Sequence, residues 1–221
     1  MTPVLKALGA LLAYPTADLV AALPEIGALI EQEARLPAAA RQALVQLCQD
    51  LGESDLIDAQ ERYVALFDRG RSTSLHLFEH VHGDSRERGQ AMVDLKHTYA
   101  RAGFLLAPGE LPDFLPAVLE FLAQRPYAEG QAMLDDCEHI VRALGEALRR
   151  QQSAYAAVPN ALLLLIGAAA LGATPVADAP PEVPLDEAWR EEPVFFGPPG
   201  AGGCTAASPA VSVVQFMPRR S

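Results

Sequence analysis

The residues best suited to chemistry in this 221-residue chain are gathered between Glu61 and Val93. Four of its five histidines fall between positions 76 and 97. His76-Leu-Phe-Glu79-His80 matches the His-x-x-Glu-His order of inverted zinc peptidases. On a helix, residues four apart share a face, so two imidazoles would grip Zn²⁺ while Glu79 served as base. A third protein ligand is then required. His82 sits too close to complete a helical set, and Glu138-His139 offers a candidate by residue type alone. The alternative is that these side chains cap helices and hydrogen-bond to one another in a polar cluster.

The charges nearby divide in the same way. Arg69, Arg71, Arg86 and Arg88 lie close in sequence to Asp68, Glu79, Asp84 and Glu87, which suits a rigid ion-pair network. That network either builds a helix–loop–helix corner or faces a partner. Residues 68–101 carry six basic and five acidic side chains, whereas residues 1–67 carry four and nine. The central segment is thus a nearly neutral island in a chain of net charge −11. With a pI of about 4.8, nonspecific binding to nucleic acid or anionic lipid is disfavoured, and a basic partner would be steered toward the protein. Unperturbed histidines charge at roughly pH 6 to 7, which would make such binding pH-sensitive.

Other catalytic signals are missing. The chain has no Gly-x-x-x-x-Gly-Lys, no Gly-x-Gly-x-x-Gly after a strand and no Gly-x-Ser-x-Gly. Cys48, Cys137 and Cys204 are far apart and form no Cys-x-x-Cys, so neither a disulfide framework nor a thiolate zinc site is indicated. Cys48 and Cys137 fall on apolar helical faces as small core residues. No basic start followed by an apolar run and a cleavage site is present, so no signal peptide is expected. The apolar run 161–173 is shorter than the roughly 20 residues a bilayer span needs. It predicts a central helix buried all round. An acidic helical body without a catalytic set points to a binding protein whose partner lays an amphipathic helix in an apolar groove.

Helical periodicity dominates the elements that would hold these residues. Val4, Leu5, Leu8, Leu11 and Leu12 mark a first helix that stops near Tyr14-Pro15, and a second follows Thr16 toward Ile30. Leu44, Leu47, Cys48 and Leu51 form a third stripe. Ser54 is the expected N-cap of a fourth helix, with Leu56, Ala59, Tyr63 and Leu66 on one side. Asp84 and Glu87 resemble a capping box for a helix that carries Met92, Leu95 and Tyr99 inward and ends at Gly103. Pro112 suits a helix start, with Pro116 delaying or kinking that helix. Met133, Cys137, Ile140, Val141, Leu144 and Leu148 make one long stripe. From Thr174 onward the chain holds nine of its 18 prolines and a glycine-rich stretch, so an extended tail is expected. Trp189, Phe195 and Phe196 would pin it to the body, and Val211–Phe216 would make a short strand at most. The expectation is an all-α bundle of about eight helices over residues 1–173, followed by the tail 174–221.

The run Glu61-Arg-Tyr-Val-x-Leu-Phe-Asp68-Arg-Gly-Arg71-Ser-x-Ser-Leu-His76-Leu-Phe-Glu79-His80-Val-His82-Gly-Asp-Ser-Arg-x-Arg-Gly-Gln-Ala-Met92 resembles the signature of NarJ-type chaperones, also called the nitrate reductase delta subunit. Glu110-Leu-Pro-Asp113-Phe-Leu-Pro116 and the segment Leu5 to Pro15 extend the resemblance over most of residues 1–170. It implies a cytoplasmic, all-helical, dedicated chaperone that is not an enzyme and binds no cofactor of its own. Its client would be the apo catalytic (alpha) subunit of a respiratory nitrate reductase, held partly by its N-terminal peptide for molybdenum cofactor insertion and membrane docking. Nucleic acid and direct membrane insertion are not expected, and the state would be monomer or weak dimer. Client binding would then fall on Tyr63, Leu66, Phe67, Asp68, Arg69, Arg71, His76, Phe78, Glu79, His80 and His82. Leu66 and Phe67 would be apolar anchors, while Asp68 and Glu79 would meet client arginine. The competing view is that Asp68, Arg69 and Arg71 only hold the loop's shape. A zinc-dependent hydrolase using His76, Glu79 and His80, and a generic helical scaffold, are the remaining alternatives.

Overall fold

Apolar side chains on one face bury α1 (Pro3–Leu11) completely along Val4, Leu5, Leu8 and Leu11. Each such leucine contributes about 1.5–3 kcal/mol when fully buried. The computed structural model describes residues 3–82 and 86–172; of His82 and Arg86 it describes the backbone alone. The remaining helices are α2 (Ala17–Glu31), α3 (Ala38–Glu53), α4 (Leu56–Phe67), α5 (Leu77–His82), α6 (Arg86–Arg101), α7 (Leu115–Ala123), α8 (Tyr127–Asp136), α9 (Glu138–Arg150) and α10 (Ala157–Leu165). Single 3-10 turns lie at Arg71–Thr73 and Ala154–Ala156. The class is all-α, with ten helices among the described residues against an expectation of about eight. Those residues contain no strand, only one antiparallel bridge between His76 and Phe114.

The core is one leucine-rich cluster to which all the long helices contribute. Helix α1 packs against α7 and α2, α2 against α3, and α10 against both α3 and α9. Gly9 sets how closely α1 crosses α7. A Cβ there would lie 3.1 Å from the Pro116 carbonyl oxygen and 3.2 Å from the Leu119 Cβ, tighter than ordinary van der Waals contact.

The helix ends follow local chemistry. Thr16 caps α2, its hydroxyl accepting from Leu19 N at 3.2 Å. Gly103 (φ +76°) closes α6 in a Schellman motif, with Phe104 N donating to the Tyr99 carbonyl at 2.9 Å. Leu95 and Tyr99 face inward as expected, with Met92 half-buried against the core.

Four boundaries differ from the sequence expectation. Asp55, not Ser54, caps α4, accepting from Ile57 N at 2.8 Å; the Ser54 hydroxyl instead donates back to the Asp50 carbonyl of α3. Pro112 starts no helix, because its carbonyl accepts the Tyr99 hydroxyl (2.8 Å) and α7 begins at Leu115 with Pro116 in its first turn. The long stripe from Met133 to Leu148 is two helices, α8 and α9, interrupted at Cys137. The bonds there tighten to Cys137 N→Leu134 O and Ile140 N→Cys137 O. Periodicity reports which side chains face the core and is blind to a one-residue break that keeps those faces aligned. Finally, α10 stops at Leu165, since Gly167 (φ +80°) turns the chain, and residues from Ile166 on are half-buried or exposed.

Cys48 and Cys137 are buried core residues, and burial pushes their thiols up to about 11 and about 12, which leaves them unreactive. Among the described residues no helix is long and apolar enough to cross a membrane. The expected tail 174–221, with Trp189, Phe195, Phe196 and Val211–Phe216, lies outside the described residues, as does the Asp84 end of the expected capping box.

Candidate functional site

The central motif divides into a run of exposed charges and a set of hydrogen-bonded polar groups. Helix α4 presents Tyr63 and Phe67 inward because they fall on the same face as Ala59. Tyr63 donates its hydroxyl to the Leu12 carbonyl (2.9 Å), tying α4 to the end of α1. Its ring lies 4.7 Å from that of Phe67, and the Phe67 ring meets Tyr155 edge-on at 5.2 Å. Phe67 is only 6% exposed, so in this conformation it supports the surface from beneath and is not itself an accessible anchor. Tyr63 and Phe78 are buried in the same way, and Leu66 is half-buried.

Past Phe67 the chain turns outward. Asp68, Arg69 and Arg71 are exposed, and among the described residues their side chains make no ion pair. The loop's shape is fixed by the residues that follow. The Thr73 hydroxyl, fully buried, donates to the Leu66 carbonyl at the end of α4 (2.5 Å). Ser74 donates its hydroxyl to Glu79 and accepts from His76 N (3.2 Å), while its carbonyl lies 2.8 Å from His80 Nε2. Hydroxyls at these positions satisfy backbone groups that the turn leaves unpaired.

Asp113 completes the cluster from 37 residues away. Its carboxylate is 0% exposed. One oxygen is 3.2 Å from His76 Nδ1 and the other accepts from Phe78 N at 3.1 Å. The Asp113 carbonyl accepts from Leu77 N (3.0 Å), and Leu115 N donates to the Leu75 carbonyl (2.8 Å). Asp113 therefore caps the N-terminus of α5 from outside the helix, and an anionic side chain is favoured there. Arg88 on α6 bridges outward: its guanidinium is 3.1 Å from Glu79 and 3.9 Å from Asp113.

These contacts set the titration behaviour. The hydrogen bond to Asp113 raises His76 above its ordinary value, against the opposing effect of burial. For Glu79, burial works upward, but the Ser74 hydroxyl and Arg88 together hold the carboxyl below its usual range.

The metal-site reading fails on geometry. His76 is not on a helix: it lies in the bridge with Phe114, and α5 begins one residue later. His76 and His80 thus do not share a helical face. His76 turns to Asp113, His80 to the Ser74 carbonyl, and Glu79 to Ser74 and Arg88. His139 is exposed on α9. Among the described residues no three His, Cys, Asp or Glu side chains converge as a ligand set. The side chain of His82 lies outside the described residues.

Sequence reasoning paired Arg88 with the right class of partner but gave no structural role to Thr73 or Ser74. The run Ser72-Thr-Ser74 just before a helical segment was the available signal for capping hydroxyls. Tyr155 had no local signal at all.

The described residues form an all-helical body whose histidine-rich motif is structural cement beside an exposed charged run. The family model described as nitrate reductase delta subunit matches residues 33–158. The chain is 44% identical over 200 residues to the nitrate reductase molybdenum cofactor assembly chaperone NarJ of Escherichia coli (strain K12), covering 87% of this chain and 84% of that protein. It is 35% identical over 210 residues to a protein of the same strain described as a probable nitrate reductase molybdenum cofactor assembly chaperone, NarW, covering 92% and 88%. A probable NarJ of Bacillus subtilis (strain 168) is 33% identical over 158 residues, covering 72% and 85%. The chain belongs to the nitrate reductase delta subunit family. The three relatives named above are described as molybdenum cofactor assembly chaperones, two of them as probable ones.

Proposed function

We propose that this chain is a dedicated assembly chaperone for a respiratory nitrate reductase. It binds the apo catalytic subunit, including the N-terminal segment, and holds it competent for molybdenum cofactor insertion and membrane assembly. The observation that carries this reading is the 44% identity across 87% of the chain to a chaperone so described. The acidic body suits a basic client segment, since residues 1–67 hold nine acidic and four basic side chains.

In this reading the protein works in the cytoplasm through a helical domain of residues 1–173, with residues 174–221 as an extended tail. The client meets the end of α4 and the loop that follows. Asp68, Arg69 and Arg71 supply accessible charge and Leu66 a half-exposed apolar contact. His76, Glu79 and His80 border the surface, Tyr63, Phe67 and Phe78 support it from below, and His82 is counted with the client contacts on its sequence position alone. No covalent step is required, because holding an unfinished subunit needs only differential affinity for its immature state.

Calorimetric titration with a synthetic peptide of the catalytic subunit's N-terminus tests the contact, and co-purification from nitrate-respiring cells tests the client. Saturable binding and recovery of the large catalytic subunit are expected. A chain that ignores both the peptide and the reductase removes the proposal.

A further inference from the structure

We propose that the Tyr155 hydroxyl is a recognition group whose hydrogen-bond partner is a backbone carbonyl of the bound client segment. This rests on the reading that the client's N-terminal segment docks beside α4. Tyr155 lies in the 3-10 turn Ala154–Ala156, whose start is capped by Ser153. The turn is reached through Gln152, which adopts φ +54° so that Ser153 N can return to the Leu148 carbonyl at 3.0 Å. The backbone is thereby fixed, and the ring is clamped edge-on against Phe67 (5.2 Å) and Tyr63 (6.3 Å).

The hydroxyl is the anomaly. Tyr155 is 7% exposed, and among the described residues its oxygen is the buried side-chain polar atom without a hydrogen-bond partner. Three other tyrosines show the usual solution. Tyr63, Tyr99 and Tyr127 donate to the carbonyls of Leu12, Pro112 and Leu165 at 2.9, 2.8 and 3.0 Å. A buried hydroxyl with no partner destabilises the free protein relative to phenylalanine, which would fill the same space. Its position also matters. The ring sits against Phe67, directly under the end of α4 where the exposed charged run begins. Tyr14 continues the same cluster, edge-on to Tyr63 at 5.5 Å and 46% exposed, so the rings reach solvent at that end.

In the bound state a client side chain packs on the Tyr63 ring in place of Tyr14, the adjoining cluster opens, and a client carbonyl accepts from the Tyr155 hydroxyl, which is closed to solvent in the free protein. Burial pushes the phenol up to about 12, with Arg62 pulling the other way, so the group remains an O–H donor throughout the physiological range. The net charge of residues 1–67, nine acidic against four basic side chains, favours a basic segment as the occupant.

The test compares the full-length chain with Tyr155→Phe and Tyr127→Phe, each titrated calorimetrically with a synthetic peptide of the catalytic subunit's N-terminus. Tyr155→Phe should melt at or above the wild-type temperature yet bind the peptide roughly tenfold more weakly, a loss of about 1.4 kcal/mol. Tyr127→Phe, which loses an internal hydrogen bond to the Leu165 carbonyl, outside this ring cluster, should keep wild-type affinity. Wild-type affinity in Tyr155→Phe overturns the inference while leaving the proposed function standing, since water then satisfies the hydroxyl. A lower melting temperature in Tyr155→Phe also overturns it, because the hydroxyl then has a partner in the free protein. Failure of the wild-type chain to bind the peptide removes the proposed function and this inference together.

Discussion

Two stretches of the central motif, separated by a single residue, have similar polar character and opposite fates. Asp68, Arg69 and Arg71 stand in solvent, free of ion pairs among the described residues. Thr73, Ser74, His76, Glu79 and His80 turn inward and bind carbonyls, amides and each other. The difference comes from what each stretch must satisfy. The first follows a helix whose last turn is already closed by Asp68 N→Val64 O. The second must pair the backbone of a turn, a bridge and a new helix N-terminus, all pressed against the core. Charge invites a functional reading, yet here the less conspicuous hydroxyls fix the shape and leave the charges available.

The sharpest way to break this contrast is to remove its buried centre. Asp113→Ala leaves Phe78 N without its acceptor, His76 without its partner and Arg88 without a second anion. A loss of about 3 kcal/mol is expected from denaturant unfolding, since several buried groups are orphaned at once. A loss below about 0.5 kcal/mol, the size typical of surface changes, would show that the cluster holds nothing in place. Thr73→Val keeps the shape and deletes one hydroxyl, leaving the Leu66 carbonyl short of its partner. About 1–2 kcal/mol should disappear, measured the same way.

A smaller effect is visible in pH. The folded pKa of His76 is raised by Asp113, so its contribution is complete below the ordinary value of 6.5 and is lost as pH rises through the folded pKa. Glu79 is lowered, so its contribution is present above 4.5 and is lost as pH falls through its folded pKa. Stability should therefore be highest between those two values as far as this cluster is concerned. In His76→Gln the decline on the alkaline side of 6.5 should flatten. An unchanged thermal-melt profile across that range would show that the His76–Asp113 contact does not form in solution.

The faces of the helices were legible in the sequence because burial is written in the 3.6-residue period, and the stripes from Val4 to Leu148 point to the core, except that Leu56 at the start of α4 is not part of it. Interruptions were less legible. The period does not register the break at Cys137, and the stop of α10 depends on a left-handed Gly167 inside a run whose composition is helical throughout. The site was legible as a segment but not as a geometry. Nothing within five residues of His76 announces that it lies in a bridge; that follows from Asp113, 37 residues on, which also caps α5. Tyr155 is further still from Phe67 along the chain, and its meaning depends on a missing partner, which no local pattern records.

Asp68→Asn carries the contrast to its other end. The side chain is exposed and unpaired among the described residues, so removing its charge should change stability by less than about 0.5 kcal/mol. If Asp68 meets a basic client group, affinity for the N-terminal peptide should fall several-fold, and the difference from wild type should shrink as salt is raised, because an exposed pair is screened. Unfolding curves and titrations at two ionic strengths separate the outcomes. Lost stability with normal binding per folded molecule would move Asp68 into the scaffold beside Thr73 and Ser74. Unchanged stability with weakened, salt-sensitive binding would place it on the client-facing side, where its exposure and lack of an internal partner already set it apart.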